Sequence, residues 1–279
     1  MAFVPPFSQI SDLGTPGVNE VWEATPASDL QGLVLRYQGY REITPSYFFH
    51  KMPADLFFPV IINFGSRWQI SDRDGRETGF DSFVSGLQAR FVTVRADAGA
   101  CCLQVDLTPA GARAFFDLPL SELTSQSVDL FDLLGPAGVR LAEQLEALTR
   151  WPDRLAHVDR FVRQRLATGK ALPTPIQFAW SRLRRDAGQV RIPEIAAELG
   201  WSREHFSRRF SAEFGLRPKS VARIMRFQQV LDRAQHGKRN WAAIAHEAGY
   251  ADQAHLVREF RALSGETPTA FFASQNFNT

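Results

Sequence analysis

The chain repeats one short pattern near its C-terminal end, and this duplication constrains its fold more than any other feature. The first copy runs from Ile195 to Pro218 and the second from Ile244 to Pro268. Each contains Ile-Ala, a Gly followed by an aromatic residue, two apolar residues four positions apart and a terminal Gly-x-x-Pro. The offset between the copies is 49 residues up to the aromatic residue and 50 beyond it, so one residue is added just after it. An internal repeat of this kind predicts two similar supersecondary units.

Each copy predicts a helix-turn-helix. In the first copy, Pro193 suits the first turn of a helix, and Gly200 can end that helix with a positive φ. Ser202 can cap the next helix, whose phenylalanines recur every four residues and form one apolar stripe. Asn240 and Asp252 are the corresponding caps of the second copy. Two short helices joined by a turn that contains Gly are typical of a unit that binds DNA.

The second helix of each copy is the predicted recognition helix. When its apolar stripe faces inward, a rotation of about 100° per residue turns a polar face outward. Arg208 and Arg258 occupy matching positions on that face, and an Arg can donate two hydrogen bonds to one guanine. The alternative is that these are ordinary solvated helix faces. The predicted base-contacting residues are Arg203, Glu204, Ser207, Arg208, Gln253, Ala254, Val257, Arg258 and Arg261.

A long helix over residues 218–235 is predicted to join the two units and to fix their separation. Exposed N–H groups at a helix N-terminus bind phosphate readily. Recognition helices about 34–36 Å apart would enter successive major grooves on one face of the DNA. The predicted phosphate-contacting residues are Ser202, Lys219, Ser220, Lys238, Arg239, Asn240 and Asp252.

The segment from Pro173 to Phe272 resembles the AraC/XylS family of bacterial transcription regulators. The resemblance implies a domain of seven helices that binds promoter DNA, usually to activate transcription, and RNA polymerase is a further partner if this protein is an activator. Phe227 departs from the family pattern, as do the apolar Ala254 and Val257, so the first unit is expected to read more of the operator. The motifs that carry the resemblance are Ile195-Ala196-x-x-Leu199-Gly200-x-Ser202, Phe206-Ser207-Arg208-x-Phe210, Gly215-x-x-Pro218, Arg223-Ile224, Ile244-Ala245-x-x-Ala248-Gly249-Tyr250, Phe260 and Gly265-x-x-Pro268.

Charge divides the chain into two parts. Residues 1–150 hold 11 Lys and Arg against 18 Asp and Glu, a net charge of −7, whereas residues 151–279 hold 21 against 12, a net charge of +9. A basic half beside an acidic half predicts one module that binds nucleic acid and one that does not. We expect domains at 1–168 and 169–279, with a linker near 168–175 that contains Gly and Pro. The absence of a long apolar run and of a basic leader predicts a cytoplasmic protein without a membrane partner.

The N-terminal domain is predicted to be an antiparallel β-barrel over about residues 1–108, followed by helices over about 109–168. Short runs rich in β-formers recur between Gly and Pro residues, as in small barrels and sandwiches. This layout resembles the cupin-like sensor domains of AraC-type regulators, which implies a small-molecule effector. The effector-binding residues stay unassigned, and a dimerisation or polymerase-contacting module without a ligand is the alternative. The fold class is therefore α+β, with an all-α C-terminal domain.

A single histidine in the predicted barrel, two adjacent cysteines and two helical apolar stripes are further features of the N-terminal domain. His50 stands alone before residue 157, so neither a metal site nor a cofactor is expected, and no nucleophile–base pair indicates an enzyme. Cys101 and Cys102 are either thiol sensors or two unrelated structural thiols, and two adjacent cysteines make no disulfide framework. Two helical apolar stripes, at 139–148 and 155–166, either pair two copies of the chain as a homodimer or pack on their own barrel.

Overall fold

The N-terminal domain contains two antiparallel sheets that face each other across an apolar interior. The computed structural model describes residues 7–11, 19–42, 48–71, 75–96, 99–235 and 239–275. The described strands are β1 (Phe7–Ser11), β2 (Asn19–Ala24), β3 (Val34–Glu42), β4 (Phe48–Met52), β5 (Phe58–Asn63), β6 (Trp68–Ser71), β7 (Glu77–Phe80), β8 (Phe83–Ser85), β9 (Val92–Ala96), β10 (Cys101–Leu107) and β11 (Ser127–Asp129). The larger sheet has the order β1-β2-β3-β10-β5-β8-β11 and the smaller has the order β4-β9-β6-β7.

The centre of the larger sheet is the most deeply buried part of the domain. Val105 of β10 pairs with Tyr37 of β3 on one side and with Val60 of β5 on the other. All three are at most 2% exposed, because the helices described below cover one face of the sheet. The β-rich pattern of the sequence therefore reflects a sheet that is buried on both faces at its centre.

Four α-helices lie between β10 and the C-terminal domain. They are α1 (Pro109–Phe116), α2 (Leu130–Leu134), α3 (Pro136–Ala147) and α4 (Trp151–Thr168). Three of them, α1, α2 and α4, pack on the larger sheet, while α3 packs on α2 and α4. The Tyr37 hydroxyl donates to Asp159 of α4 at 2.9 Å, and the Trp151 ring lies over Gly39. A Cβ atom at Gly39 would lie 2.4 Å from that ring, so only glycine permits this approach. Of the two alternatives for these helices, packing on their own sheet is the one that the structure shows for α4.

The sheet extends beyond the predicted limit near residue 108. Strand β11 follows a short 3-10 helix, Leu120–Leu123, and pairs with β8 at the edge of the larger sheet. This stretch was predicted to be helical. A three-residue edge strand is too short to show an alternating pattern, so the sequence carries no signal for it.

The C-terminal domain is entirely helical in its described residues, as predicted. Its seven helices are α5 (Thr174–Arg185), α6 (Ile192–Glu198), α7 (Arg203–Phe214), α8 (Pro218–Gln235), α9 (Trp241–Glu247), α10 (Gln253–Ser264) and α11 (Pro268–Gln275). The predicted α+β class, with antiparallel sheets before an all-α domain, is confirmed. In the part of the chain that the structure describes, no helix has the length and apolar character needed to cross a bilayer.

Candidate nucleic-acid interface

The two sequence copies fold into two helix-turn-helix units of nearly equal dimensions. Helices α6 and α9 each have seven residues, and α7 and α10 each have 12. The turn spans residues 199–202 in the first unit and 248–252 in the second, so the added residue lies in the turn. Gly200 and Gly249 hold φ values of +67° and +75° there, which suit glycine. The predicted duplication is thus a structural one.

Three of the predicted phosphate-contacting residues cap the helices of these units. The Ser202 hydroxyl accepts from the His205 N–H at 3.2 Å, and the Asn240 side chain accepts from the Ala243 N–H at 3.2 Å. The Asp252 carboxylate accepts from the His255 N–H at 2.6 Å. Each cap satisfies one of the orphan donors at a helix N-terminus and leaves the remaining N–H groups of the first turn available to an anion.

The recognition helix of the first unit presents a polar face opposite a fully buried stripe. Phe206, Phe210 and Phe214 are all 0% exposed. On the opposite side, the predicted base-contacting residues Arg203, Glu204 and Arg208 are exposed and Ser207 is half-buried. Arg208 Nη2 lies 3.3 Å from His205 Nδ1, so the guanidinium is held close to its own helix while it remains solvent-accessible.

The recognition helix of the second unit presents a smaller polar face. Gln253, Ala254, Arg258 and Arg261 are exposed, as predicted. Val257 is half-buried and packs against the hydrophobic core, so only part of its surface faces outward. The second unit therefore offers two arginines and one amide where the first offers two arginines, a carboxylate and a hydroxyl.

The remaining predicted contacts flank the long helix α8 that joins the units. At its N-terminus, Lys219 is exposed and Ser220 is half-buried. Beyond its C-terminal end, the Arg239 guanidinium lies 4.6 Å from the Phe272 ring centroid, and its Nε donates to the Ala234 carbonyl at 3.3 Å. Lys238 lies outside the described residues.

Sequence reasoning missed Arg217, which extends the face of the first unit. Arg217 precedes the N-terminus of α8 and lines an open depression together with Glu204, Ser207 and Arg208. The sequence does place Arg217 directly before Pro218 and Lys219, at a predicted helix N-terminus. A cation there indicates an anion-binding site, because it adds to the attraction of the exposed helical N–H groups.

The first unit also contacts the N-terminal domain, at the end of α7 opposite its capped start. The Ser121 hydroxyl of the 3-10 helix donates to the Ala212 carbonyl at 2.7 Å. Arg113 of α1 lies 3.7 Å from Glu213, and both side chains are largely buried. These contacts fix the C-terminal half of α7 and leave the exposed residues of its N-terminal half uncovered.

Glycine substitutions should separate backbone strain from this contact between domains. Gly200 and Gly215 both have positive φ, but only at Gly215 would a Cβ meet another residue, the Thr124 hydroxyl at 2.1 Å. We expect Gly200→Ala to lower the free energy of unfolding by about 1–2 kcal/mol, the cost of a left-handed alanine. Gly215→Ala should cost about 1–3 kcal/mol more, because it also overpacks the domain contact. Urea denaturation of both variants checks this, and equal costs would contradict it.

A second concave site lies in the N-terminal domain, between the two sheets. It is a cavity of about 180 Å³ lined mainly by apolar side chains, among them Ile61, Trp68 and Phe83. Asp55, in the β4–β5 connection, lines it as well, and burial raises the pKa of its carboxyl to about 6. Burial also raises the pKa of the Cys102 thiol to about 12, so this thiol stays protonated and unreactive at neutral pH.

The raised pKa of Asp55 predicts a pH dependence of stability. Because the folded state holds this proton more tightly than the unfolded chain, the folded state binds more protons between about pH 4 and 6. The free energy of unfolding therefore falls as pH rises through that window. Asp106 and Arg36 are the charged groups that face Asp55, the first raising its pKa and the second lowering it.

We expect Asp55→Asn to exceed the parent protein in stability at pH 7 by about 2 kcal/mol and to match it near pH 4. The amide keeps an oxygen that can accept the same hydrogen bonds and carries no charge to desolvate. Urea midpoints between pH 4 and pH 7.5 measure the difference. The exposed Asp153→Asn is the matched control and should leave the pH dependence between pH 4 and pH 7.5 unchanged. A stability difference that does not vary with pH would contradict this account.

The two halves of the chain match different family models. Residues 195–274 match a family described as "Helix-turn-helix domain". Residues 23–129 match a family described as "Domain of unknown function (DUF6597)". No curated protein matches the chain.

The chain is also similar to several solved structures. ToxT from Vibrio cholerae is 10% identical with a TM-score of 0.48, and the match covers 87% of this chain and 98% of that one. The C-terminal domain of AraT, a response regulator from Geobacillus stearothermophilus, is 18% identical with a TM-score of 0.36. That match covers 38% of this chain and 88% of the AraT chain. The DNA-binding domain of AdpA, a global transcriptional factor solved with a target DNA, is 22% identical with a TM-score of 0.34. That match covers 37% of this chain and 93% of the AdpA chain.

The matched helix-turn-helix model and the two exposed recognition helices define a DNA-binding protein with a double helix-turn-helix module. The chain contains a helix-turn-helix domain over residues 195–274, the region whose motifs resemble the AraC/XylS family. It is a DNA-binding transcription regulator.

Proposed function

We propose that this regulator binds DNA sequence-specifically by placing α7 and α10 in two successive major grooves, and that it responds to a small-molecule effector in its N-terminal domain. The observation that carries the DNA part is the pair of exposed, matched helix faces joined by the single helix α8. A continuous 18-residue helix keeps the two units at a fixed separation. One chain would then contact two half-sites one helical turn apart, which simple helix-turn-helix proteins contact as dimers.

The residues of these faces divide into two groups by the chemistry of their contacts. Arg208 and Arg258 are proposed to read guanine, because each is exposed at the same position of its recognition helix. Glu204 is proposed to accept from cytosine, and Ala254 to contact a thymine methyl group. The exposed Lys219 is proposed to contact phosphate at the N-terminus of α8, which fixes the register of the protein without reading sequence.

The first unit is proposed to discriminate more strongly than the second. The outward face of its recognition helix combines arginines with Glu204 and Ser207. In the second unit, Val257 packs partly against the hydrophobic core, so less of its side chain can contact DNA. Specific hydrogen bonds to base edges discriminate more strongly than contact with a methyl group. A mismatch in the half-site of α7 should therefore cost more binding energy than one in the half-site of α10.

The cavity between the sheets favours an effector-sensing domain over a ligand-free module. Small-molecule sites are concave and mostly apolar with a few polar groups, and the cavity has this character. An effector would shift an existing equilibrium between conformations that differ in affinity for DNA. A homodimer, and contact with RNA polymerase in the case of an activator, belong to the same proposal.

Selection from a random DNA library tests the proposed specificity. The full-length protein should enrich a bipartite sequence, and an excess of unrelated DNA should compete poorly with it. If all sequences compete equally, the protein is not a sequence-specific regulator of the proposed kind. The enriched sequence then serves as the operator in the experiments below.

A further inference from the structure

The cavity between the two sheets has the size of a single aromatic ring. Its volume is about 180 Å³. An apolar cavity of about 150 Å³ in another protein stays dry and binds benzene. The aromatic side chains of Tyr40, Phe57, Trp68 and Phe83 contribute to the lining. A compact, largely apolar molecule with one ring therefore fits the space.

Carboxylates orient two of the amides that line the cavity. The Gln38 amide nitrogen donates to Glu23 at 3.0 Å, and the Gln104 amide nitrogen donates to Asp106 at 2.7 Å. Because both partners are carboxylates, these contacts identify the nitrogen of each amide, which leaves its carbonyl oxygen free to accept and its second N–H free to donate. The indole N–H of Trp68 is also engaged, since it donates to Asn63 at 3.2 Å.

Asp55 is the strongest of these acceptors. Its Oδ1 accepts from the Leu56 N–H at 2.6 Å and from the Gln228 amide at 2.5 Å. Within the described residues, no group donates a hydrogen bond to its Oδ2. Arg90 also lines the cavity, but it is exposed, so solvent screens its charge far more than that of the half-buried Asp55. The carboxylate therefore dominates the field felt by a bound molecule.

The connection that carries Asp55 also contacts the second helix-turn-helix unit. The Ala54 N–H donates to the Leu263 carbonyl near the end of α10 at 2.9 Å. Lys51, on the adjoining strand β4, forms an ion pair with Glu266 at 3.0 Å. Gln228, which donates to Asp55, belongs to α8. One wall of the cavity is thus bonded directly to both the joining helix and the second recognition helix.

We propose that the cavity binds a one-ring molecule with a cationic or neutral donor group that donates a hydrogen bond to Asp55. We propose further that the Asp55–Gln228 hydrogen bond couples ligand binding in the cavity to helix α8. This inference rests on the proposed role of the N-terminal domain as a sensor. A cation beside Oδ2 keeps the carboxylate ionised, and an ionised acceptor strengthens the bond to Gln228. Because coupling between sites is reciprocal, bound operator then changes the affinity for the ligand by the same factor.

Three probes of equal size and different charge test the ligand class on the full-length protein. Benzylamine carries a cation, benzyl alcohol a neutral donor and benzoate an anion. Isothermal titration should show benzylamine binding most tightly, benzyl alcohol more weakly and benzoate not at all. Asp55→Asn should abolish the preference for the amine over the alcohol, and Asp153→Asn should retain it. Benzoate binding as tightly as benzylamine, or no binding by any of the three, would overturn the proposed class.

A second measurement tests the coupling through Gln228. Benzylamine should change the affinity of the parent protein for its operator at least fivefold, the low end of typical coupling energies. Gln228→Ala should still bind benzylamine but lose that change. Gln229→Ala is the control, because Gln229 lies on the same helix but accepts from Gln189 within the DNA-binding domain. This variant should retain the change in operator affinity that benzylamine causes. A full response in Gln228→Ala, or none in the parent protein, would overturn the coupling.

Failure of this inference and failure of the proposed function are distinguishable. If the protein selects an operator and benzylamine does not bind, the proposed ligand class is wrong and the DNA-reading function stands. If the protein selects no DNA sequence, the proposed function is wrong, while the titration series still decides whether the cavity prefers a donor.

Discussion

Phe210→Ala should lower the free energy of unfolding of the C-terminal domain by about 3–5 kcal/mol, the cost of emptying a buried aromatic site. Phe210 is fully buried between two other rings of α7, with centroids 5.6 Å from Phe206 and 4.7 Å from Phe214. Its loss removes aromatic contacts as well as buried area. Urea denaturation followed by circular dichroism of the helices measures the change.

Phe178→Ala provides the matched control for this prediction. Phe178 lies on α5 of the same domain and is 42% exposed, so its truncation leaves no closed cavity. We expect a change within about 0.5 kcal/mol, as for most surface substitutions. If the two variants lose equal stability, the stripe on α7 does not form the core of the first unit.

Arg208→Ala should weaken operator binding by about 1–3 kcal/mol, or roughly 5- to 150-fold, and should relax specificity at one base pair. The exposed guanidinium is proposed to make two hydrogen bonds to a guanine, and alanine can make neither. Binding to operators substituted at each position, at a fixed salt concentration, measures the effect. The loss should be confined to operators that retain the guanine.

Lys219→Ala is the contrasting variant. Because Lys219 is proposed to contact a phosphate, its removal should weaken binding to all sequences and lower the salt slope by about 1. Arg208→Ala should show the sequence-selective loss that Lys219→Ala lacks. If the two variants lose affinity uniformly and to the same extent, the proposed division into base and phosphate contacts is wrong.

The C-terminal domain could be predicted closely because its signals are local. Gly200 and Gly249 mark the turns, and Ser202 and Asp252 cap the helices that follow, each within a few residues of the element that it ends or begins. Apolar residues four apart fix which face is buried, and that face determines the exposed one. Arg217 was not predicted as a site residue, because it lies in the turn between α7 and α8, outside any periodic pattern.

The N-terminal domain was less predictable, for two physical reasons. Strands β7 and β11 are short and lie at sheet edges, so they lack a run of buried residues. The hydrogen bond from Gln228 to Asp55 joins residues 173 positions apart, and no local pattern encodes such a contact. The cavity depends on the packing of two sheets and therefore became visible only in the structure.

Methylation interference on the selected operator tests the central claim most directly, because it reports which guanine N7 atoms the protein approaches in the major groove. We predict two clusters of interfering guanines on one face of the duplex, separated by one helical turn of about 10–10.5 base pairs. Arg208→Ala should erase interference in one cluster and Arg258→Ala in the other. A single cluster, or two clusters that respond equally to both substitutions, would contradict the placement of α7 and α10 in successive major grooves.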